Sequence, residues 1–125
     1  MHVQEPADTV VIVGAIRPEA SLEKELEARG IRVQWARTIN EAAALLNSVV
    51  NRTVVVTEVA LKDGNWRDLI EGVRRSSIPV LLVSSTSTAE LWWDALDCGV
   101  EDILLAPLSG SQLCEYLQKQ FKTQK

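Results

Sequence analysis

Residues 9–14 read Thr9-Val10-Val11-Ile12-Val13-Gly14, a β-branched run that ends at a glycine. A continuous apolar run of this kind is typical of a strand that is covered on both faces of a parallel sheet. Four similar runs follow along the chain: Ile31 to Ala36, Thr53 to Thr57, Val80 to Val83 and Ile103 to Leu105. The sequence therefore predicts five strands.

Helical signals separate these strands. Pro18 is suited to a helix start, and Gly30 to the left-handed residue that closes the same helix. Three capping boxes mark later helix starts: Thr38 with Glu41, Ser87 with Glu90, and Ser109 with Gln112. Strand and helix alternate five times, and right-handed parallel crossovers then give an α/β doubly wound sandwich.

The composition restricts the class of protein. The chain has 125 residues and a net charge of -4, with 46% apolar residues. We expect a single domain, 1–125, with a core at about 9–122. The chain has no surplus of basic residues with which to bind nucleic acid. No apolar run approaches the roughly 20 residues that a membrane span requires. Cys98 and Cys114 lack partners in a motif, so we expect buried free thiols and a cytoplasmic location.

Four stretches at matching spacing resemble the receiver domain of bacterial two-component response regulators, the CheY-like superfamily. The stretches are Leu26-Glu27-Ala28-Arg29-Gly30, Val56-Thr57-Glu58-Val59-Ala60-Leu61, Ile78-Pro79-Val80-Leu81-Leu82-Val83-Ser84, and residues 95–108, ALDCGVEDILLAPL. The resemblance extends from Thr9 to Phe121. It implies a flavodoxin-like (βα)5 fold, with five parallel strands in the order 2-1-3-4-5.

A working receiver phosphorylates an aspartate at the end of its third strand, and this chain departs from that site. The resemblance places Glu58 at the acceptor position, Gly14 and Ala15 at the acidic pair that holds Mg²⁺, and Ala106 at the lysine. Only the hydroxyl position is kept, as Ser84. Catalysis of this kind depends on positioning and charge neutralisation, so losing the cations should remove most of it.

These departures indicate a pseudo-receiver: a stand-alone, non-enzymatic module of two-component or phosphorelay signalling, without metal or cofactor, that acts through protein contacts. Two alternatives stay open. One is a divergent receiver that is still phosphorylated on Glu58 or Asp63. The other is a small-ligand domain on the same fold, although no glycine-rich phosphate loop follows Gly14.

A carboxylate at the sheet rim without Mg²⁺ or lysine needs another cation or open water. Arg17 and Lys62 are the nearest cations by topology, so we expect one of them to pair with Glu58; the alternative is a solvated Glu58. Asp63 precedes Gly64, which favours a turn-forming aspartate.

The pair Trp92-Trp93 suggests a contact surface. On a helix, Leu91, Trp92, Ala95 and Cys98 share one stripe, which leaves Trp93 nearer the solvent. In receivers, the fourth helix, fifth strand and fifth helix form the usual partner or dimer face. We therefore expect a protein partner or a homodimer there, with Trp93, Leu96, Ile103 and Tyr116 as contact residues. Ile103 also replaces the family's aromatic residue on the fifth strand.

Overall fold

The computed structural model describes residues 8–15, 17–47, 52–73, 78–86, 88–107 and 109–123. The strands are β1 Asp8–Val13, β2 Ile31–Ala36, β3 Thr53–Glu58, β4 Ala60–Leu61, β5 Gly64–Asn65, β6 Val80–Ser84 and β7 Asp102–Leu105. The helices are α1 Ala20–Ala28, α2 Ile39–Asn47, α3 Trp66–Val73, α4 Ala89–Cys98 and α5 Gly110–Thr123.

Five of the strands form one parallel sheet in the order β2-β1-β3-β6-β7. The short strands β4 and β5 pair only with each other, so this is the expected order 2-1-3-4-5 of the five sheet strands. The α/β flavodoxin-like prediction is confirmed. The first strand of the sequence lies in the interior of the sheet, which explains its unbroken apolar run.

Alternate residues of the strands face two separate apolar layers. On one face, Val11, Val55 and Leu82 pack with residues of α2, α3 and α4. On the other face, Val10, Val54 and Leu81 pack with residues of α1 and α5. Because neighbouring strand residues point to opposite faces, a run such as Val10-Val11 supplies both layers.

The end of α1 and the start of α5 form as the sequence signals predict. Gly30 and Gly99 have φ values of 82° and 95°, the left-handed conformation that closes α1 and α4. The Ser109 hydroxyl accepts the Gln112 N–H at 3.1 Å, while the Gln112 side chain accepts the Ser109 N–H at 3.1 Å. This is a complete capping box at the start of α5.

Three start signals need correction. Pro18 precedes the N-terminal cap, Glu19, so it lies before the first turn of α1 rather than in it. The Thr38 hydroxyl accepts the Glu41 N–H at 3.0 Å, but the Glu41 carboxylate accepts the N–H of Arg37 instead of Thr38. The cap of α4 is Thr88, whose hydroxyl accepts the Leu91 N–H. Ser87, the expected cap, lies outside the described residues.

The loop after β3 contains more structure than the Asp63-Gly64 signal predicts. Ala60–Leu61 and Gly64–Asn65 form a two-stranded antiparallel hairpin around a Lys62-Asp63 turn. Asn65 continues it into α3, because its side-chain oxygen accepts the Arg67 N–H at 2.9 Å. No helix in the described part of the chain is long and apolar enough to cross a membrane.

Candidate functional site

The residues that the sequence singled out meet at one edge of the sheet. Parallel pairing brings Val13 beside Thr57, Glu58 beside Val83, and Ser84 beside Leu105. The carboxyl ends of β1, β3, β6 and β7 therefore form a common rim, which is where ligands bind in open parallel sheets.

Glu58 ends β3, and its carboxyl group lies directly against the backbone of Gly14. A Cβ atom placed on Gly14 would lie 2.7 Å from Cδ and 3.1 Å from Cγ of Glu58, and closer still to Oε1. The glutamate side chain, which is one methylene longer than aspartate, thus fills the space that any side chain at position 14 would occupy. Although Glu58 is exposed as a residue, partial burial of this carboxyl group raises its pKa above the ordinary value of 4.5.

Gly14 is held in place by the end of β2. Its N–H donates to the carbonyl of Ala36 at 3.0 Å, and its carbonyl accepts the indole N–H of Trp35 at 3.0 Å. The indole of Trp35 thus fixes the loop against which the Glu58 carboxyl group lies.

The expected ion pair at Glu58 is not formed. Arg17 instead approaches Glu23, with Nε 3.5 Å from Oε1, because Arg17 lies just before α1 and Glu23 lies in its first turn. Lys62 is exposed in the hairpin turn, which Asp63 fastens to the first turn of α2. Among the described residues, neither cation lies within 4 Å of the Glu58 carboxylate.

Ser84 provides the hydroxyl that the resemblance places at this position, but a local turn engages it. The hydroxyl donates to the carbonyl of Thr86 at 2.6 Å and accepts the Thr86 N–H at 3.1 Å. Ser84 is also buried. Its hydroxyl therefore stabilises the loop after β6 and is already satisfied without a ligand.

Ala106 leaves an open cleft where the resemblance places a lysine. The cleft has a volume of about 470 Å³ and is lined by Glu58, Ser84, Ala106 and their neighbours. The Ala106 N–H donates to the Ser84 carbonyl at 2.8 Å, and the Ala106–Pro107 peptide bond is cis. Ala15 is exposed beside Gly14. Within the described ranges, no group of three or more His, Cys, Asp or Glu residues is placed to hold a metal ion.

Asp63 acts as a helix cap rather than only as a turn residue. Its two carboxylate oxygens accept the N–H groups of Ile39, at 2.8 Å, and Asn40, at 3.2 Å. The hydrogen bond from Ile39 is the main cause that lowers the pKa of Asp63 below 3.8. Both oxygens are thus engaged by α2.

The expected contact residues differ in exposure. Trp93 is 70% exposed and Leu96 is 47% exposed on α4, and Tyr116 on α5 is also exposed. Ile103 is half-buried and packs against the layer beneath α4. Trp92 was expected to face the core but is 37% exposed, since Ala95 takes the central buried position of that stripe. Leu105, at the end of edge strand β7, is a further exposed apolar residue that the sequence did not single out.

Comparison with solved structures identifies the architecture. A response regulator from Thermotoga maritima matches with a TM-score of 0.81 and 23% identity, over 94% of this chain and 100% of that one. The receiver domain of the Francisella response regulator 1452 matches with a TM-score of 0.79 and 22% identity, over 94% of this chain and 98% of that one. A two-component response regulator from Clostridium difficile matches with a TM-score of 0.78 and 21% identity, over 92% of this chain and 96% of that one.

The fold is that of a response regulator receiver domain. No protein-family model matches the sequence, and no curated protein matches it either. The receiver fold thus explains the position of the rim, while the chemistry of the rim must be argued from the residues present there.

Proposed function

We propose that this chain is a pseudo-receiver: a signalling module with the receiver fold that has no Mg²⁺-dependent phosphorylation and acts through protein contacts. The observation that carries the proposal is the position of the Glu58 carboxyl group in the space beside Gly14. An acid at position 14 would hold Mg²⁺ in a working receiver, and here a neighbouring side chain fills its place.

Charge supports the same conclusion. A phosphoryl group brings negative charge to a rim that already carries Glu58, and catalysis of phosphoryl transfer requires cations to neutralise that charge. Ala106 supplies none, and Arg17 is engaged with Glu23. The hydroxyl of Ser84 is bonded to Thr86. We therefore assign the chain no enzymatic role.

Intact-mass measurement tests this directly. The purified chain is treated with acetyl phosphate and Mg²⁺ beside an active receiver domain as positive control. We expect the control to gain a phosphate and this chain to keep its mass. A stoichiometric adduct that disappears in Glu58→Gln or Asp63→Asn would contradict the proposal and identify a divergent phosphorylated receiver.

Exposed apolar residues on α4, β7 and α5 support action through protein contacts. We name Trp92, Trp93, Leu96, Leu105 and Tyr116 the aromatic face. Helices α4 and α5 pack on opposite faces of the sheet, whose edge on that side is β7. Exposed aromatic side chains are favoured anchors of protein interfaces. The two free cysteines fit a reducing cytoplasm.

Light scattering during gel filtration distinguishes a homodimer from a partner of another kind. A homodimer through the aromatic face should become monomeric in Trp93→Ser, while Glu27→Ser on α1 should leave the mass unchanged. A protein that is monomeric throughout would require a different protein partner. A dimer that is insensitive to Trp93→Ser and Leu96→Ser would place the interface elsewhere.

A further inference from the structure

A second opening shares Glu58 and Val83 with the Ala106 cleft. This groove has a volume of about 180 Å³ and runs between α1, the sheet and α5. Its apolar lining is supplied by Ile12, Val13, Pro18, Leu22, Val56, Val83 and Leu113. Among the described residues that line it, Glu58 is the only charged one.

Glu58 gives this groove a chemical preference. Its carboxyl group is partly withdrawn from water against Gly14, and no cation of the described chain is within 4 Å of it. The closest candidate by sequence, Arg17, contacts Glu23 at 3.5 Å. A partly desolvated carboxylate without a counter-charge is less stable than one in open water, so a cation from outside would be stabilised there.

The volume of the groove is large enough for the stem of a lysine side chain. An apolar cavity of about 150 Å³ accommodates benzene, so a volume near 180 Å³ suits a chain of four to six carbons. The stem of lysine lies readily along apolar surface while its ammonium group stays at a polar edge. Arginine prefers a flat stacking partner and both oxygens of a carboxylate, but no aromatic residue lines this groove, and Oε1 of Glu58 lies against Gly14.

We propose that the groove binds a lysine side chain of a protein partner, with the stem on Leu22 and Leu113 and the ammonium group on the Glu58 carboxylate. This inference rests on the proposed function, because it describes one contact of a module that acts through proteins. It assigns Glu58 a role in recognition at a site distinct from the aromatic face.

Two model compounds test the site. Nα-acetyl-lysine N-methylamide carries the proposed side chain, and Nα-acetyl-norleucine N-methylamide has the same length of stem without the ammonium group. Each is titrated into the ¹⁵N-labelled full chain, and amide shifts are followed by NMR. We expect the lysine compound to bind roughly fivefold more tightly, the value of a partly exposed ion pair, and to shift the amides of Leu22 and Glu58.

Variants distinguish the proposed contact from general attraction to an acidic protein. Glu58→Gln should abolish the preference for lysine, while Glu27→Gln, which removes the same charge from an exposed site on α1, should retain it. Equal binding of the two compounds, or a preference that survives Glu58→Gln, would refute the site. Binding of n-pentylamine without binding of the lysine compound would also overturn it, in favour of a free amine. A phosphate adduct would refute the proposed function through a separate measurement.

Discussion

The carboxylate of Asp63 caps helix α2 although Asp63 follows Ile39 by 24 residues. Its oxygens accept the N–H groups of Ile39 and Asn40, two of the groups that a helix start leaves without intrahelical partners. Asn65, in the same hairpin, caps α3 by accepting the N–H of Arg67. One short hairpin after Glu58 therefore fixes the starts of two helices.

Asp63→Ala should weaken the start of α2. The substitution leaves the Ile39 and Asn40 amides without their acceptor, so their hydrogen exchange should accelerate and the midpoint of urea unfolding should fall at pH 7. Because the folded-state pKa of Asp63 is lowered, its stabilisation is present above pH 3.8 and is lost as the pH falls through the folded-state pKa. The variant and the original protein should thus converge in acid. Unchanged exchange at both amides, or the same effect from Asp97→Ala, would contradict the capping role.

Glu58→Gln should stabilise the protein at neutral pH. Burial raises the folded-state pKa of Glu58, so the folded protein holds this proton more tightly than the unfolded chain does. The favourable contribution is complete below pH 4.5 and is lost as the pH rises through the folded-state pKa. Urea unfolding at pH 3 and pH 7 measures the difference in the free energy of unfolding between the variant and the original protein. This difference should increase toward pH 7. Glu27→Gln serves as the control, and a difference independent of pH would disprove the expectation.

Gly14→Ala should displace the Glu58 side chain. The added methyl group occupies the space of the Glu58 carboxyl group, which can rotate toward solvent because it ends a flexible side chain. The pKa of Glu58 should then fall toward its ordinary value, as followed by ¹³C NMR of the side-chain carboxyl group. Ala15→Ser, at the exposed neighbour, should leave that titration unchanged. An unaltered Glu58 titration in Gly14→Ala would show that the two residues are not coupled.

Arg52→Lys should destabilise the end of the sheet that lies opposite the rim, where β1 and β3 begin. The Arg52 guanidinium donates two hydrogen bonds to Asp8, at 2.9 and 3.0 Å, and a third to the carbonyl of Phe121 at 3.0 Å. A lysine ammonium cannot reproduce this fork, so the free energy of unfolding measured in urea should fall by about 1 kcal/mol. Arg17→Lys, at a single 3.5 Å contact, should change stability by less than about 0.5 kcal/mol. Equal effects of the two substitutions would argue against the fork.

The fold was predictable because its signals are local. Val10 to Val13 show burial on both faces of β1, and Gly30 marks the end of α1 without reference to the rest of the chain. The capping box of Ser109 and Gln112 likewise involves residues three apart. Signals of this kind remain visible in the sequence even where identity to solved receivers is near 20%.

The details of the rim were less predictable because they depend on contacts between distant residues. Asp63 reaches Ile39, and Trp35 reaches Gly14 across 21 residues. Topology correctly brought Glu58 to the rim but did not determine which cation would be near it, since Arg17 has a local partner in Glu23. The engagement of the Ser84 hydroxyl by Thr86 depends on the conformation of one loop, which hydrophobic pattern does not specify.

The contact between Gly14 and Glu58 restricts how this domain can evolve. An aspartate introduced at position 14 alone would meet the Glu58 carboxyl group in the same volume and add a second negative charge beside it. A shorter, uncharged residue at position 58 relieves both conflicts, whereas a retained glutamate has to rotate toward solvent to make room. The cost of an acid at position 14 therefore depends on the residue at position 58, so the order in which the two positions mutate affects stability.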